Sequence, residues 1–183
     1  LRGATGAFGE VGHWLGEGVS PCRCGRRGCL EVALGLETLV KRYRALGGTA
    51  STLEGLLAGA RAGEEAALLA LRQLGEALGR FLANLAVAYD PARGVVGGRV
   101  AELFPFLEAS LRASLQAHAF LEAHRRLPVA PSVYGHLAPA VGGASLFLAR
   151  FFELGGLWAE GPRRNGGEGY AEVAFGDRYG LGA

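Results

Sequence analysis

The chain has 183 residues, half of them hydrophobic, and a formal net charge of +2. That length supports one domain with a real core, or one lobe of a larger protein. The small charge gives no nucleic-acid surface, no apolar run reaches the length of a membrane span, and nothing at the start reads as a signal peptide.

Methionine is absent and the chain opens on Leu1, so it is expected to be a piece of a longer product. Residues 1–35 are rich in glycine and read as loop, suited to backbone approach and ion binding rather than to a packed helix. A short helix is predicted from Leu36 to Ala45, ended by Gly47-Gly48. Ser51 with Glu54 three residues on predicts a capping box for a helix through Arg61.

The strongest helical pattern covers Glu64 to Tyr89, where Leu71, Leu74, Leu78, Leu82 and Leu85 recur at three- and four-residue steps. Gly75 and Gly79 sit four apart on a neighbouring face, where missing side chains would let another backbone approach. Arg93–Val96 reads as a short buried strand, turned by Gly97-Gly98 into a helix over Ala101–Arg126 with Pro105 in its first turn. Leu127–Val133 is a weaker strand, placed at an edge by Pro128 and Pro131. Ala138–Leu154 is the last amphipathic helix, and strand, helix, strand, helix is an α/β pattern. Residues 154–183 show no sustained period and read as an irregular extension.

All three cysteines fall within the run Cys22-Arg23-Cys24-Gly25-Arg26-Arg27-Gly28-Cys29-Leu30-Glu31, with His13 a short loop upstream. Three thiolates and one imidazole make a complete tetrahedral set for Zn²⁺. Gly25 and Gly28 permit the tight left-handed turns that bring three sulfurs to one ion. Three inert, buried cysteines are the competing reading. It leaves unexplained why all three share one glycine-punctuated loop. Clustered thiols without a disulfide framework imply a reducing compartment, hence the cytoplasm. His118 and His124 read as surface residues of the third long helix, and His136 as a turn residue without a partner.

Gly9-Glu10-Val11-Gly12-His13, followed by Cys22, Cys24, Cys29 and Glu31, resembles the signature of the ROK family (repressor, open reading frame, kinase). Gly97-Gly98 resembles the family's adenosine-region turn, and Pro131–Gly135 with Gly142-Gly143-Ala144 its closing segment. The resemblance implies the C-terminal lobe, over 1–153, of an actin-like fold of the sugar-kinase, Hsp70 and ribonuclease H-like type. It implies a structural zinc on His13, Cys22, Cys24 and Cys29, with the zinc loop at 13–31, and a monosaccharide held by Glu10, His13 and Glu31. Carboxylates suit this role because each accepts two hydroxyls with charge-assisted strength. Zinc on one nitrogen of His13 would fix the ring and leave the other facing the ligand. With four protein ligands, such a site keeps no open position for Lewis-acid catalysis.

The family holds sugar kinases and transcription regulators. A kinase needs a phosphate loop and a catalytic aspartate, a regulator a DNA-binding helix-turn-helix, and neither is expected in this segment. No catalytic residue is therefore assigned. Arg99 after Gly97-Gly98, where family kinases usually carry a third glycine, and the Pro-Ser-x-x-Gly segment favour the sensing part of a regulator. The alternatives are the C-terminal lobe of an ATP-dependent sugar kinase, with ATP at Gly97 and Gly98, and an inactive zinc-stabilised remnant. Homo-oligomerisation through this lobe is expected. DNA would be reached only through another domain, and no membrane contact is expected.

Overall fold

The computed structural model describes residues 4–154 apart from Glu17. Two compact units divide the chain, Leu1–Gly142 and Gly143–Ala183. In the first, a 3-10 turn at Val11–His13 and the single helical turn α1 (Leu30–Ala33) frame a loop, followed by α2 (Leu36–Ala45), α3 (Leu53–Arg61) and α4 (Glu65–Tyr89). Then come β1 (Gly94–Val96), a 3-10 segment at Gly98–Leu103, α5 (Phe104–His118), α6 (Glu122–Arg125) and β2 (Val129–Pro131). A last 3-10 turn at Gly135–Leu137 leads into α7 (Ala138–Leu154), which runs on into the second unit. There Phe147 and Phe151 stack with centroids 6.4 Å apart, one turn from each other on the helix. The expected extension over 154–183 lies outside the described residues, save for the end of α7.

The core is the pairing of α4 with α5, extended by α2 and α3. Along α4 the fully buried line runs through Leu71, Leu74, Gly75, Gly79, Ala83 and Ala86, while Leu78, Leu82 and Leu85 are only half-buried. The closest seam against α5 is thus made by Gly75 and Gly79, and only the first two members of the leucine stripe are fully buried. A Cβ on Gly75 would meet the Leu107 carbonyl oxygen at 2.5 Å, and one on Gly79 would meet the Leu115 amide nitrogen at 2.8 Å. The two glycines therefore set how closely the helices approach. Ser114 uses that proximity to donate its hydroxyl to the Glu76 carbonyl at 2.7 Å, which satisfies a polar group that is itself buried.

β1 and β2 pair in parallel, Gly94 with Val129 and Val96 with Pro131, and form a sheet of two strands. Pro131 ends β2, where its missing N–H costs least. The outward Val129 carbonyl is capped by the Arg112 guanidinium at 2.8 Å. Strands, connecting helix and parallel pairing bear out the α/β reading, but β1 is not the buried strand expected, since Gly94 and Val96 are half-buried and Val95 is exposed.

Five local expectations are corrected. Thr52, not Ser51, caps α3, its hydroxyl accepting from the Gly55 amide at 3.2 Å. Glu54 does not close a capping box; it pairs with Arg99. The helix expected over Ala101–Arg126 is three pieces. Ala119 turns extended after α5, and Leu121 is again extended before α6. That break folds α6 back so that His124, Leu127 and Val129 enter the core, and tertiary burial outweighs the local preference for one long helix. His124 is consequently 6% exposed rather than a surface residue, and its Nε2 meets Asp90 Oδ1 at 3.0 Å. Asp90 itself holds a left-handed φ of 44° where α4 ends. His118 is exposed as expected, and His136 does have a neighbour, Glu102, at 3.6 Å.

Candidate metal centre and ligand-facing carboxylates

The loop between the Val11–His13 turn and α1 is folded by its own backbone. Cys22 and Gly25 close a tight turn, with the Gly25 amide on the Cys22 carbonyl at 3.0 Å and Gly25 at φ +88°. Gly28 has φ +77°, and a Cβ there would meet the Gly18 carbonyl oxygen at 2.6 Å, so no larger residue fits. Two antiparallel bridges, Leu15 with Cys29 and Pro21 with Arg27, bring the ends of the loop together. The Trp14 ring then packs edge-on against Phe81 of α4, centroids 6.3 Å apart, which ties the loop to the core.

This folding gathers His13, Cys22, Cys24 and Cys29 so that one ligand atom from each lies within 4.8 Å of all the others. Cys22 Sγ is 3.8 Å from His13 Nδ1, and Cys24 Sγ is 3.6 Å from Cys29 Sγ. A tetrahedron around zinc with bonds of about 2.0–2.3 Å has edges of roughly 3.5–3.8 Å. The donor set and spacing therefore fit the ion. All three cysteines are free thiols.

The thiols differ in character. The Arg26 backbone amide, and then its guanidinium, hold Cys24 down to about 6, whereas burial pushes Cys29 up to about 11. Arg26 is itself raised by its bond to Cys24. The same guanidinium donates to the His13 carbonyl at 2.6 Å, linking both ends of the ligand set. Sequence reasoning missed Arg26, although it stands between the ligands in the motif.

With Nδ1 turned to the sulfurs, His13 presents Nε2 to two carboxylates, Glu31 Oε2 at 3.5 Å and Glu10 Oε2 at 3.9 Å. Glu10 immediately precedes the 3-10 turn and Glu31 stands in the first turn of α1. Gly12 lies directly against Glu31, where a Cβ would stand 3.4 Å from Glu31 Cβ. Both carboxylates are more than half exposed while His13 is largely covered. The result is an open rim of two carboxylate acceptors beside the imidazole Nε2, which donates when zinc holds Nδ1 or both ring nitrogens are protonated, a pattern that matches adjacent hydroxyls.

Gly97 and Gly98 are not part of this cluster. They follow the C-terminal end of β1, with Gly98 at φ +67° and open space where its Cβ would stand. Arg99, next in sequence, is bound to Glu54 at the start of α3. That pairing bridges segments 45 residues apart, and no local sequence signal announces it.

Residues 1–150 match the ROK family model. The chain is 27% identical over 154 residues to the xylose repressor of Bacillus subtilis, covering 84% of this chain and 40% of that protein. It is 28% identical to the glucokinase of Halalkalibacterium halodurans, covering 80% of this chain and 49% of that protein. Among solved structures, a ROK glucokinase from Streptomyces griseus, in complex with glucose and AMPPNP, superposes with a TM-score of 0.72 at 25% identity. That match covers 80% of this chain and 53% of the glucokinase. The chain thus spans two fifths to about half of the length of these relatives, and its fold is that of the corresponding part of ROK sugar kinases.

Proposed function

The chain belongs to the ROK family, and from that premise we propose that it is the sugar-sensing, zinc-ordered C-terminal lobe of a ROK transcriptional regulator. The observation that carries this is the convergence of Glu10, Glu31 and the His13 Nε2 on one open rim. In this reading His13, Cys22, Cys24 and Cys29 hold a structural zinc, which fixes the imidazole ring and supplies order rather than catalysis. Glu10 and Glu31 accept hydrogen bonds from adjacent hydroxyls of a hexose or pentose, and His13 donates one. The lobe comprises 1–153, with 154–183 as an extension. Reduced thiols fit the cytoplasm, and no described helix is long and apolar enough to cross a membrane. The lobe assembles with a second copy, a point that light scattering decides.

The regulator reading is favoured by Arg99, whose side chain stands where the nucleotide turn would call for glycine and is held by Glu54. The second reading, an ATP-dependent sugar kinase with the nucleotide at Gly97 and Gly98, is favoured by the likeness to the glucokinase. In the full-length gene product, Glu10→Gln and Glu31→Gln are each expected to weaken monosaccharide binding tenfold or more, because a charge-assisted acceptor worth about 1.5–3 kcal/mol becomes a neutral amide. Calorimetry that finds unchanged affinity in both variants overturns the sugar assignment. ATP-dependent phosphorylation of the bound sugar by the same protein would select the kinase; sugar-dependent DNA binding without turnover would select the regulator.

A further inference from the structure

A small cavity of about 100 Å³ lies between α5, α6 and the start of β2, lined by Arg112, Gln116, Arg125 and Arg126 with Leu115 and Leu127. Three of these six residues are arginines, and no carboxylate lines the cavity. We propose that this cavity is a binding site for a single tetrahedral oxyanion, inorganic phosphate or the phosphate group of a small phosphomonoester.

The arginines ring an open site, with the side chains of Arg112, Arg125 and Arg126 43%, 48% and 79% exposed. Arg112 is pinned twice, its Nε on Glu108 at 2.9 Å and a terminal nitrogen on the Val129 carbonyl at 2.8 Å. Arg125 and Arg126 are both held by Glu122, at 3.3 and 3.1 Å. One carboxylate shared by two guanidinium groups, and another spent on the third, leave the cluster with a net positive charge. Each guanidinium has five N–H donors and these contacts use only some of them, so donors remain for a planar or tetrahedral anion. Gln116 adds a neutral amide. Leu115 and Leu127 are almost fully buried and give the cavity an apolar floor, which strengthens the attraction of a charged group above it. The volume matches a single oxyanion, and anything larger would extend out into solvent.

The site shares no residue with the proposed sugar rim and lies away from the glycine turn. β1 and β2 are parallel, so their N-terminal ends lie together at one end of the sheet. Gly97-Gly98 follows the C-terminal end of β1, whereas Leu127 stands just before the N-terminal end of β2. The oxyanion cavity and the glycine turn therefore occupy opposite ends of the sheet.

Arg112 also supports β2, so the test uses Arg125→Gln and Arg126→Gln, whose side chains are tied only to the exposed Glu122. Inorganic phosphate and glycerol phosphate are each titrated into the full chain and followed by amide NMR shifts, with sodium chloride at matched ionic strength as the control. Saturable shifts centred on Gln116 and Leu127 are expected with phosphate and not with chloride. Each variant is expected to weaken binding by about tenfold. Tighter binding of the ester than of the free ion identifies a phosphorylated metabolite as ligand, and the reverse identifies phosphate itself. Shifts that chloride reproduces, or phosphate affinity unchanged in both variants, overturn the proposal.

Discussion

Replacing Gly79 by alanine tests whether the α4–α5 seam is as close as described. In an ordinary helix interior the exchange is favourable by about 0.8–1 kcal/mol, because glycine loses more backbone freedom on folding. Here the added methyl group would meet the Leu115 amide nitrogen at 2.8 Å and the Ser114 Cβ at 2.6 Å, with the Leu111 carbonyl closer still. Two of these obstacles are backbone atoms, which cannot swing aside as a long side chain would. α5 must move away, and such overpacking typically costs about 1–3 kcal/mol. The move also stretches the buried bond from Ser114 to the Glu76 carbonyl, worth about 1 kcal/mol. After the intrinsic gain, a net loss of about 1–3 kcal/mol is expected, which at this chain length lowers the melting temperature by on the order of 5 °C. Thermal and urea unfolding followed by circular dichroism measure it. The control is the pair Asn84→Gly and Asn84→Ala on the exposed face of the same helix, where the alanine variant should be the more stable. A Gly79→Ala protein as stable as the parent, or more so, refutes the close seam.

Protein purified without added metal is expected to hold one zinc per chain, and Cys29→Ser to lose it; elemental analysis checks both. In metal-free protein at neutral pH, Cys24, held down to about 6, is mostly thiolate, whereas Cys29, raised to about 11 and buried, stays protonated. Iodoacetamide is therefore expected to label Cys24 first, zinc to protect it, and mass spectrometry to read the order. Equal or reversed labelling would contradict the assigned roles of Arg26 and of burial. Thr52→Ala is expected to cost about 1 kcal/mol through loss of the α3 cap while Ser51→Ala changes stability by less than about half of that, as measured by urea unfolding.

The cluster of His13 with the three cysteines was legible in the sequence because everything it needs is local. Four candidate ligands between positions 13 and 29, with glycines among them, leave the chain few ways to fold except around one point. α2 and α4 were legible for a related reason, since periodicity and terminal glycines mark helices from within. The break between α5 and α6 was not. Ala119, Phe120 and Leu121 carry no glycine or proline, and the turn exists because it buries His124 and Leu127 against α4 and α5. Nothing short-range records that gain. Thr52 and Ser51 are chemically near-equivalent caps, and only the path of the backbone into α3 selects between them. Arg99 and Glu54 meet across 45 positions, beyond any local pattern.

The Arg112 bond to the Val129 carbonyl gives the small sheet a direction of growth. A strand arriving beside β2 would find that acceptor already taken and a charged side chain in its path, the kind of obstruction that keeps exposed edges from pairing with stray chains. Among the described residues no strand lies on the other side of β1. The edge of β1 carries no such side-chain cap among the described residues, and Val95 there is 64% exposed. One arginine thus makes the sheet's two edges unequal, obstructed along β2 and unguarded along β1.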